Sequence, residues 1–214
     1  MFKALDIETM PNEDMIPYLP EPEVKTGNLK DPAKIAIKKQ EAREKQVEKM
    51  ALNPLYGRII SYAFVGERCS AGVLEELTDE AERDLITDIL EELTDDTLRL
   101  FTWNGKGFDM PFIFKRAMIL GINMKDYPKL DAFTKRYSDC HYDLMQTWDT
   151  RNFTKLDDVA KAVLGQDSGK IEIEFEDFPL MMRTEAGRRE ILEYNIQDTI
   201  ITYKLGVKMS SCLF

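Results

Sequence analysis

The first predicted strand places two carboxylates on one face, which restricts what can lie beside it. In the stretch FKALDIET, Asp6 and Glu8 are one residue apart, and residues i and i+2 of a strand project to the same side of a sheet. The apolar neighbours Ala4, Leu5 and Ile7 argue against a fully exposed strand. Because like charges on neighbouring positions repel, we expect a divalent cation at this face. A solvent-exposed sheet edge is the alternative.

The last predicted helix, over residues 185–208, carries a third carboxylate on its apolar face. Steps of three and four residues connect the positions of this face, which are Ile191, Tyr194, Asp198, Ile201 and Leu205. Asp198 is therefore expected to point toward the core, one turn after Tyr194. A buried ionised carboxylate is costly unless it is paired or binds a metal ion. A core aspartate hydrogen-bonded to a backbone N–H or to an arginine is the alternative.

A fourth carboxylate, Asp109, follows a predicted strand over 98–103 and the turn NGKG, at the start of a helix that ends at Gly121. Taken alone, Asp109 is typical of a helix cap. Together, four carboxylates from three elements are candidates to converge. Their oxygens suit Mg²⁺ or Mn²⁺, whereas a single histidine, His141, and the absence of a cysteine cluster argue against a zinc site.

The order of the elements predicts an α/β fold, in which a mixed central β-sheet is flanked by helices. We expect a single domain over residues 1–214, with a helical basic insert at about 31–52 that begins at Asp31 and Pro32. Further predictions are a strand over 58–67, a meander over 70–77, a helix over 79–93 with a capping box of Asp79 and Glu82, a strand or turn over 141–145, and a helix over 156–164 closed by Gly165.

Charge is distributed unevenly along the chain. The net charge of −10 argues against a nucleic-acid partner, because phosphate contacts require Lys and Arg. Residues 25–50 nevertheless carry eight basic and four acidic groups, so that this segment has a charge of +4 and the remainder a charge of −14. A basic arm on an acidic body is compatible with a phosphate-bearing substrate. A merely solvated helix is the alternative.

The composition indicates a soluble cytoplasmic protein. No run of about 18 apolar residues is present that would span a membrane. Asp6 and Glu8 interrupt the N-terminal apolar stretch that a signal peptide would need. Three well-separated cysteines, Cys69, Cys140 and Cys212, are expected to be reduced thiols.

Three short segments resemble the motifs of a known nuclease family. DIE at 6–8, NGKGFD at 104–109 and YNIQD at 194–198 resemble, in order, the three motifs of the DEDD 3′–5′ exonucleases, which have a ribonuclease H-like fold. The last segment resembles the tyrosine subgroup (DEDDy), since Glu193 stands where the histidine subgroup has its histidine. More closely, residues 1–208 are similar to stand-alone bacterial and phage relatives of the proofreading exonuclease domain of family B DNA polymerases, including the stretches LKDPAKI and ALNPLYGRIISYAF.

The resemblance implies a set of site residues. Two Mg²⁺ or Mn²⁺ ions would be held by the four carboxylates of Asp6, Glu8, Asp109 and Asp198. Tyr194 would orient the attacking water, and a core tyrosine is the alternative. The 3′-terminal nucleotide would be contacted by Asn104, Phe108 and the backbone of Thr9 and Met10. For Phe108, a place in the core is the alternative. Asp143, in HYDLM, is expected to be structural or to support a ligand.

The activity implied by the resemblance is a metal-dependent 3′–5′ exonuclease that releases nucleoside 5′-monophosphates from single-stranded nucleic acid by a two-metal-ion mechanism. DNA is favoured over RNA because of the similarity to a proofreading domain. A catalytically idle or partner-dependent nucleic-acid binding module on the same fold is the alternative, and an interaction protein with an incidental acidic pocket is another. Proofreading, repair and recombination stay open. The oligomeric state and a polymerase or replication partner in trans are open as well. It is also open whether the insert holds the substrate strand, gates the cleft or mediates a dimer.

Overall fold

The computed structural model describes residues 1–25, 27, 31–127, 130–135, 138–165 and 173–213. Leu29 and Lys30, which belong to the basic segment and to the LKDPAKI stretch, lie outside these residues. Within the described residues, five strands form one sheet: β1 (Phe2–Pro11), β2 (Gly57–Val65), β3 (Cys69–Val73), β4 (Arg99–Thr102) and β5 (His141–Asp143).

The sheet is mixed, as the sequence predicts. Its strand order is β3-β2-β1-β4-β5. The pairs β1–β2 and β2–β3 are antiparallel, whereas β1–β4 and β4–β5 are parallel. The carboxyl ends of β1, β4 and β5 therefore lie at the same edge of the sheet.

The helices are α1 (Pro32–Glu48), α2 (Asp79–Glu92), α3 (Asp109–Ile119), α4 (Leu130–Thr134), α5 (Leu144–Trp148), α6 (Leu156–Leu164), α7 (Phe178–Met181) and α8 (Glu185–Leu213). Short 3₁₀ helices lie at Glu13–Tyr18, Lys49–Leu52, Met124–Asp126 and Phe175–Asp177. The α/β architecture with a central sheet flanked by helices is confirmed.

β1 lies in the middle of the sheet and extends past its parallel neighbour. Its register with β4 ends at Ala4 opposite Phe101, while its antiparallel pairing with β2 continues to Pro11. Glu8 pairs with Ser61 and Thr9 with Ile59, so Ile60 is an extra residue in β2, and such a bulge bends the pair of strands locally. The second half of β1 is therefore accessible, on its β4 side, to groups from elsewhere in the chain.

Helices pack on both faces of the sheet. α8 lies across β1, β2, β3 and β4, and apolar residues of its second half cluster with Ala4 and Phe101. A Cβ atom at Gly206 would lie 2.3 Å from the Phe101 ring, so the glycine permits the close approach of α8 to β4. On the opposite face, Leu5 and Ile7 pack with apolar residues of α2 and α3.

Most predicted elements are present with small shifts at their ends. Asp31 caps α1, since its side chain accepts a hydrogen bond from Ala33 N at 3.0 Å. The last residues of the predicted insert, up to Leu52, form a 3₁₀ helix rather than a continuation of α1. The helix predicted over 156–164 has those bounds and is followed by Gly165 at φ 113°. The segment 141–145 divides into β5 and the start of α5.

The predicted capping box of Asp79 and Glu82 is wrong. Thr78 is the N-cap of α2, and its side chain accepts a hydrogen bond from Ala81 N at 3.1 Å. Glu82 is fully buried, and its two carboxylate oxygens accept hydrogen bonds from Arg116 at 2.8 and 2.6 Å. Glu82 therefore neutralises a buried arginine of α3 instead of capping its own helix.

The three cysteines form no disulfide. In the part of the chain that the structure describes, no helix combines the length and the apolar character needed to cross a membrane.

Candidate active site

Four carboxylates that are far apart in sequence meet at the edge of the sheet where β1 extends past β4. Asp6 and Glu8 lie on β1, Asp109 is the first residue of α3, and Asp198 lies in the middle of α8. Burial raises the pKa of Asp6 well above its ordinary value, and the charges of Asp109, Glu8 and Asp198 raise it further. The structure thus brings together the four carboxylates that the sequence singles out. We refer to them as the acidic cluster.

Asn195 fixes the position of Asp6. Asn195 Nδ2 donates a hydrogen bond to Asp6 Oδ2 at 2.9 Å, and Ser61 Oγ donates to Asn195 Oδ1 at 3.2 Å. The Asn195 side chain is fully buried. It links α8 to both β1 and β2, and its bond to the ionised carboxylate opposes the rise in the pKa of Asp6.

Asp109 is held against β1 by the backbone of the strand. Ile7 N donates a hydrogen bond to Asp109 Oδ1 at 3.2 Å, beyond the point at which β1 stops pairing with β4. Burial raises the pKa of Asp109 to about 7, with hydrogen bonds from backbone N–H groups opposing the rise and the charge of Asp143 adding to it. Because Ile7 stands between Asp6 and Glu8, this bond brings the start of α3 to both carboxylates of β1.

Tyr194 and Asp198 interact across one turn of α8. Burial raises the pKa of Tyr194 well above its ordinary value, and the charges of Glu8, Asp198 and Asp6 and a hydrogen bond to Asp198 add to the rise. The phenol therefore keeps its proton at neutral pH and donates to the Asp198 carboxylate. The Tyr194 ring also packs edge-on against Phe178, with 6.1 Å between ring centroids.

The donor set of the acidic cluster fits a hard divalent cation. In the described ranges, no group of three or more His, Cys, Asp and Glu side chains is already arranged to hold a metal ion. The carboxylates of Asp6, Asp109 and Asp198 instead accept hydrogen bonds from protein donors. All four side chains nevertheless offer carboxylate oxygens, the ligands that Mg²⁺ and Mn²⁺ prefer. The mutual repulsion that raises the pKa of Asp6 is what a bound cation would relieve.

The turn between β4 and α3 is built around Asp143. This carboxylate accepts hydrogen bonds from Asn104 N at 3.1 Å and from Lys106 N at 3.0 Å, and it caps α5 through Gln146 N at 3.2 Å. Asn104 has φ 63°, a left-handed conformation that asparagine adopts more readily than most residues. Asp143 therefore holds the turn that leads to Asp109, which is the structural role that the sequence suggests for it.

The remaining residues predicted to contact substrate differ in their burial and in the groups that they contact. Asn104 is half-buried at the end of β4. Phe108 is half-buried and packs on the core, with its ring centroid 5.4 Å from that of Phe112. Thr9 and Met10 are buried, and Thr9 Oγ1 donates a hydrogen bond to Ala51 O at 2.7 Å. Since both of these side chains face the protein, their backbone, which lies opposite the bulge in β2, is the part that a ligand can approach.

His141 contributes to the fold beside the site. Its Nδ1 lies 2.6 Å from Phe133 O, which can only accept, so Nδ1 carries the proton, and Nε2 accepts from the Thr102 hydroxyl at 2.8 Å. Burial lowers the pKa of His141 to about 4. The imidazole is therefore neutral at physiological pH and its two nitrogens are occupied within the protein.

Asn195 is the site residue that the sequence analysis did not single out. The available signal was its place in YNIQD, three residues before Asp198. Residues i and i+3 of a helix are neighbours on its surface, so the spacing places a second hydrogen-bonding side chain beside a predicted ligand. The bond to Asp6, 189 residues away in sequence, leaves no local pattern.

The strand order and the helices on both faces define an α/β domain whose central strand carries two of the four carboxylates of the acidic cluster. The chain belongs to the family of predicted 3′–5′ exonucleases related to the exonuclease domain of PolB, whose model matches residues 52–212.

Archaeal DNA polymerases are among the similar proteins. The DNA polymerase of Thermococcus aggregans is 30% identical over 144 residues, which are 58% of this chain and 8% of that protein. DNA polymerase 1 of Aeropyrum pernix is 28% identical over 167 residues, 70% of this chain and 16% of that protein. The chain thus spans a small part of the length of these relatives.

The fold also resembles that of a solved structure. The family B DNA polymerase of the hyperthermophilic archaeon Pyrobaculum calidifontis matches 98% of this chain with a TM-score of 0.61 and 17% sequence identity. The match covers 24% of the polymerase. At this identity the likeness concerns the fold, and it agrees with the α/β architecture expected from the sequence.

Proposed function

We propose that this chain is a metal-dependent 3′–5′ exonuclease that releases nucleoside 5′-monophosphates, one at a time, from the 3′ end of single-stranded DNA. The observation that carries the proposal is the meeting of Asp6, Glu8, Asp109 and Asp198, with Tyr194 hydrogen-bonded to Asp198. Membership of the PolB exonuclease-related family supports the reaction class, and the similarity to DNA polymerases supports a nucleic-acid substrate.

The proposed cofactors are two Mg²⁺ or Mn²⁺ ions, with Asp6, Glu8, Asp109 and Asp198 as their ligands. When bound, such ions lower the pKa of a coordinated water and stabilise charge on a leaving oxygen. The acidic cluster alone would repel the phosphodiester that it must approach. The proposed role of the carboxylates is therefore to bind the cations and to hold them beside the backbone of β1.

Tyr194 is proposed to position the attacking water, as the resemblance to the tyrosine subgroup implies. Because its pKa is raised, the hydroxyl keeps its proton, which it donates to Asp198, and its oxygen accepts a hydrogen bond from the attacking water without removing a proton from it. Asp198 and Phe178 fix the ring from two sides. Tyr194 thus acts by placement, a role that a phenylalanine of the same shape would not fill.

The 3′-terminal nucleotide is proposed to lie between the second half of β1 and the turn that precedes α3. Asn104 and the backbone of Thr9 and Met10 would contact its sugar and phosphate. Phe108 offers one partly exposed ring at the first turn of α3, and any base can stack on such a ring. A polymerase or replication protein acting in trans is a further proposed partner, since the relatives in which this segment occurs are DNA polymerases.

The test is a time course with 5′-labelled single-stranded DNA and RNA of one sequence, with Mg²⁺, with Mn²⁺ or with chelator. Wild type is compared with Asp6→Asn, which keeps an acceptor for Asn195, and with the control Glu190→Gln, an exposed position on the same helix as Asp198. We expect metal-dependent shortening from the 3′ end in wild type and control, lost in Asp6→Asn. Internal fragments from the labelled strand would contradict exonuclease action, and metal binding without degradation would favour the idle binding module.

A further inference from the structure

A wide polar cleft lies beside the turn that leads to Asp109, and of its lining residues only Asn104 has a proposed contact with substrate so far. Its volume is about 1080 Å³, which exceeds the roughly 300–1,000 Å³ of typical small-molecule sites. The cleft lies at the carboxyl ends of β4 and β5, and its lining includes Asn104, Lys106, Gln146, Arg151 and Phe153. We refer to it as the Phe153 cleft.

The Phe153 cleft and the acidic cluster lie along one edge of the sheet. β1, β4 and β5 are parallel, so the residues that follow them emerge side by side. Asn104, in the cleft, is joined to Asp109, in the acidic cluster, by one short turn. Asp143 lines the cleft and holds that turn. A single-stranded DNA whose 3′ end lies at the acidic cluster would therefore place the nucleotides that precede this end in the cleft.

Phe153 is displayed at the cleft by an ordered loop. Its side chain is 70% exposed, although the neighbouring residue is anchored: the Thr154 carbonyl accepts a hydrogen bond from the buried Trp103 Nε1 at 3.0 Å. The loop is also closed by Asp149, whose carboxylate accepts from Arg151 N at 2.8 Å and Asn152 N at 3.1 Å. An aromatic ring held in water beside a polar cleft is a platform on which a base of any identity can stack.

The cleft is lined by two cationic side chains, Lys106 and Arg151, and by three carboxylates, Asp139, Asp143 and Asp149. The carboxylates of Asp143 and Asp149 are turned toward backbone N–H groups of their own turns. The side chain of Arg151 is exposed, and that of Lys106 is half-buried within the cleft. Arg151 and Lys106 are the groups of the lining that can contact the phosphates of a single-stranded DNA, whose unpaired bases can stack on Phe153.

We propose that the Phe153 cleft binds the nucleotides that precede the 3′-terminal one, with Phe153 stacking on a base and Arg151 and Lys106 contacting phosphates. The inference rests on the proposed function for its orientation, since the strand runs from the cleft toward the acidic cluster. It assigns these three residues to binding. These three residues therefore determine how long a stretch of substrate the enzyme binds. The chemical step itself does not depend on them.

The experiment separates binding in the cleft from hydrolysis. Affinity for a fluorescent single strand of about twelve nucleotides, within the usual range of site sizes, is measured by anisotropy in chelator. Hydrolysis of a trinucleotide and of the long strand is measured with metal. The variants are Phe153→Ala, Arg151→Glu and the conservative Phe153→Trp. The controls are Tyr18→Ala, 72% exposed and outside the cleft, and Lys125→Glu, exposed beyond the far end of α3.

We expect Phe153→Ala to weaken binding of the long strand about tenfold and Phe153→Trp to restore it. Arg151→Glu should also reduce the salt dependence of binding by a slope of about 0.7. Trinucleotide hydrolysis should be impaired less than hydrolysis of the long strand, because only two of its nucleotides reach the cleft, and the controls Tyr18→Ala and Lys125→Glu should leave both substrates unaffected. Unchanged affinity in both Phe153→Ala and Arg151→Glu would overturn the proposal. If wild type cleaves nothing but the variants still weaken binding, the proposed function fails and the cleft proposal stands.

Discussion

Asn195 Nδ2 lies 2.9 Å from Asp6 Oδ2, so a buried amide on α8 sets the position of the first carboxylate on β1. Asn195 is in turn held by Ser61 of β2 at 3.2 Å. Three elements of the fold therefore meet at one carboxylate. Groups that orient a metal ligand commonly contribute to activity without touching the metal or the substrate.

The first prediction concerns this amide. Asn195→Ala should lower kcat about 10- to 100-fold, because Asp6 would lose the donor that orients it, while KM for the strand changes little. The Mn²⁺ concentration needed for half-maximal activity should rise as well. Steady-state kinetics across a metal titration measures both effects. Glu193→Ala, exposed on the same helix, is the control, and equal effects in the two variants would rule out a positioning role for Asn195.

The second prediction concerns the stability cost of the acidic cluster. The pKa of Asp109 is raised to about 7 in the folded protein, against about 3.9 in an unfolded chain. Between these values the folded state binds more protons, so stability falls as pH rises from 4 to 7 and the full penalty is present above pH 7. Asp109→Asn keeps an acceptor for Ile7 N but carries no charge.

In chelator at pH 8, Asp109→Asn should therefore be more stable than wild type by about 1–3 kcal/mol, and the gain should vanish near pH 4. Urea unfolding at both pH values measures it. Asp84→Asn, exposed on α2, should show no such pH-dependent gain. A destabilised Asp109→Asn at pH 8 would mean that the carboxylate is already neutralised in the fold. Stabilisation together with loss of nuclease activity would identify a group kept for function.

Much of the site was predictable because its residues follow local periodicity. Asp6 and Glu8 share a face through the two-residue repeat of a strand, and Asp198 lies on the apolar face through the helical repeat. The structure places them accordingly, with Asp198 buried. What the sequence does not encode locally is pairing between distant elements. The position of Glu82 in the first turn of α2 predicts a capping role. Its actual partner, Arg116, is 34 residues away, so the pairing leaves no local signal in the sequence.

The side chains of Thr9 and Met10 show a related limit. They directly follow the carboxylates of β1, and a motif alone does not reveal that both side chains are buried in the protein. The proposed binding role of Phe153 could not be predicted from the sequence either, since one exposed aromatic residue in a polar segment carries no periodic signal. It gains meaning from the cleft that the ends of β4 and β5 form around it.

The third prediction concerns the buried ion pair between α2 and α3. Glu82→Gln should destabilise the protein by about 3–5 kcal/mol, because Arg116 would stay buried without its counter-charge. Arg58, whose Nε lies 3.5 Å from Glu82 Oε2, would lose one of its two carboxylate partners and keep Asp79. Urea unfolding at pH 7 measures the loss. Glu80→Gln, exposed two residues earlier on α2, should change stability by about 0.5 kcal/mol or less. A loss of similar size in Glu80→Gln would point to a helix-end effect.

The fourth prediction concerns the basic helix α1, whose two sides differ in role. Arg43 donates hydrogen bonds to Ile16 O at 2.8 Å and to Pro20 O at 3.1 Å, so it attaches the helix to the segment after β1. Lys34, Lys38 and Lys45 are exposed, and steps of four and seven residues place them together on the opposite side. The sequence alone groups Arg43 with the lysines, but its contacts are structural.

If the lysine side of α1 holds the substrate strand, reversing Lys34, Lys38 and Lys45 to Glu should weaken binding of single-stranded DNA. It should also reduce the slope of log affinity against log salt by about 2, because each lost phosphate contact contributes roughly 0.7. Anisotropy titrations at several salt concentrations measure both. The charge-matched control reverses Lys115, Lys125 and Lys208, which are exposed elsewhere. An equal loss of affinity in the control would show that the effect comes from net charge alone. An unchanged affinity in both variants would show that α1 is a solvated helix without a role in binding. Arg43→Glu should instead lower the unfolding temperature, because it detaches α1 from the body of the protein.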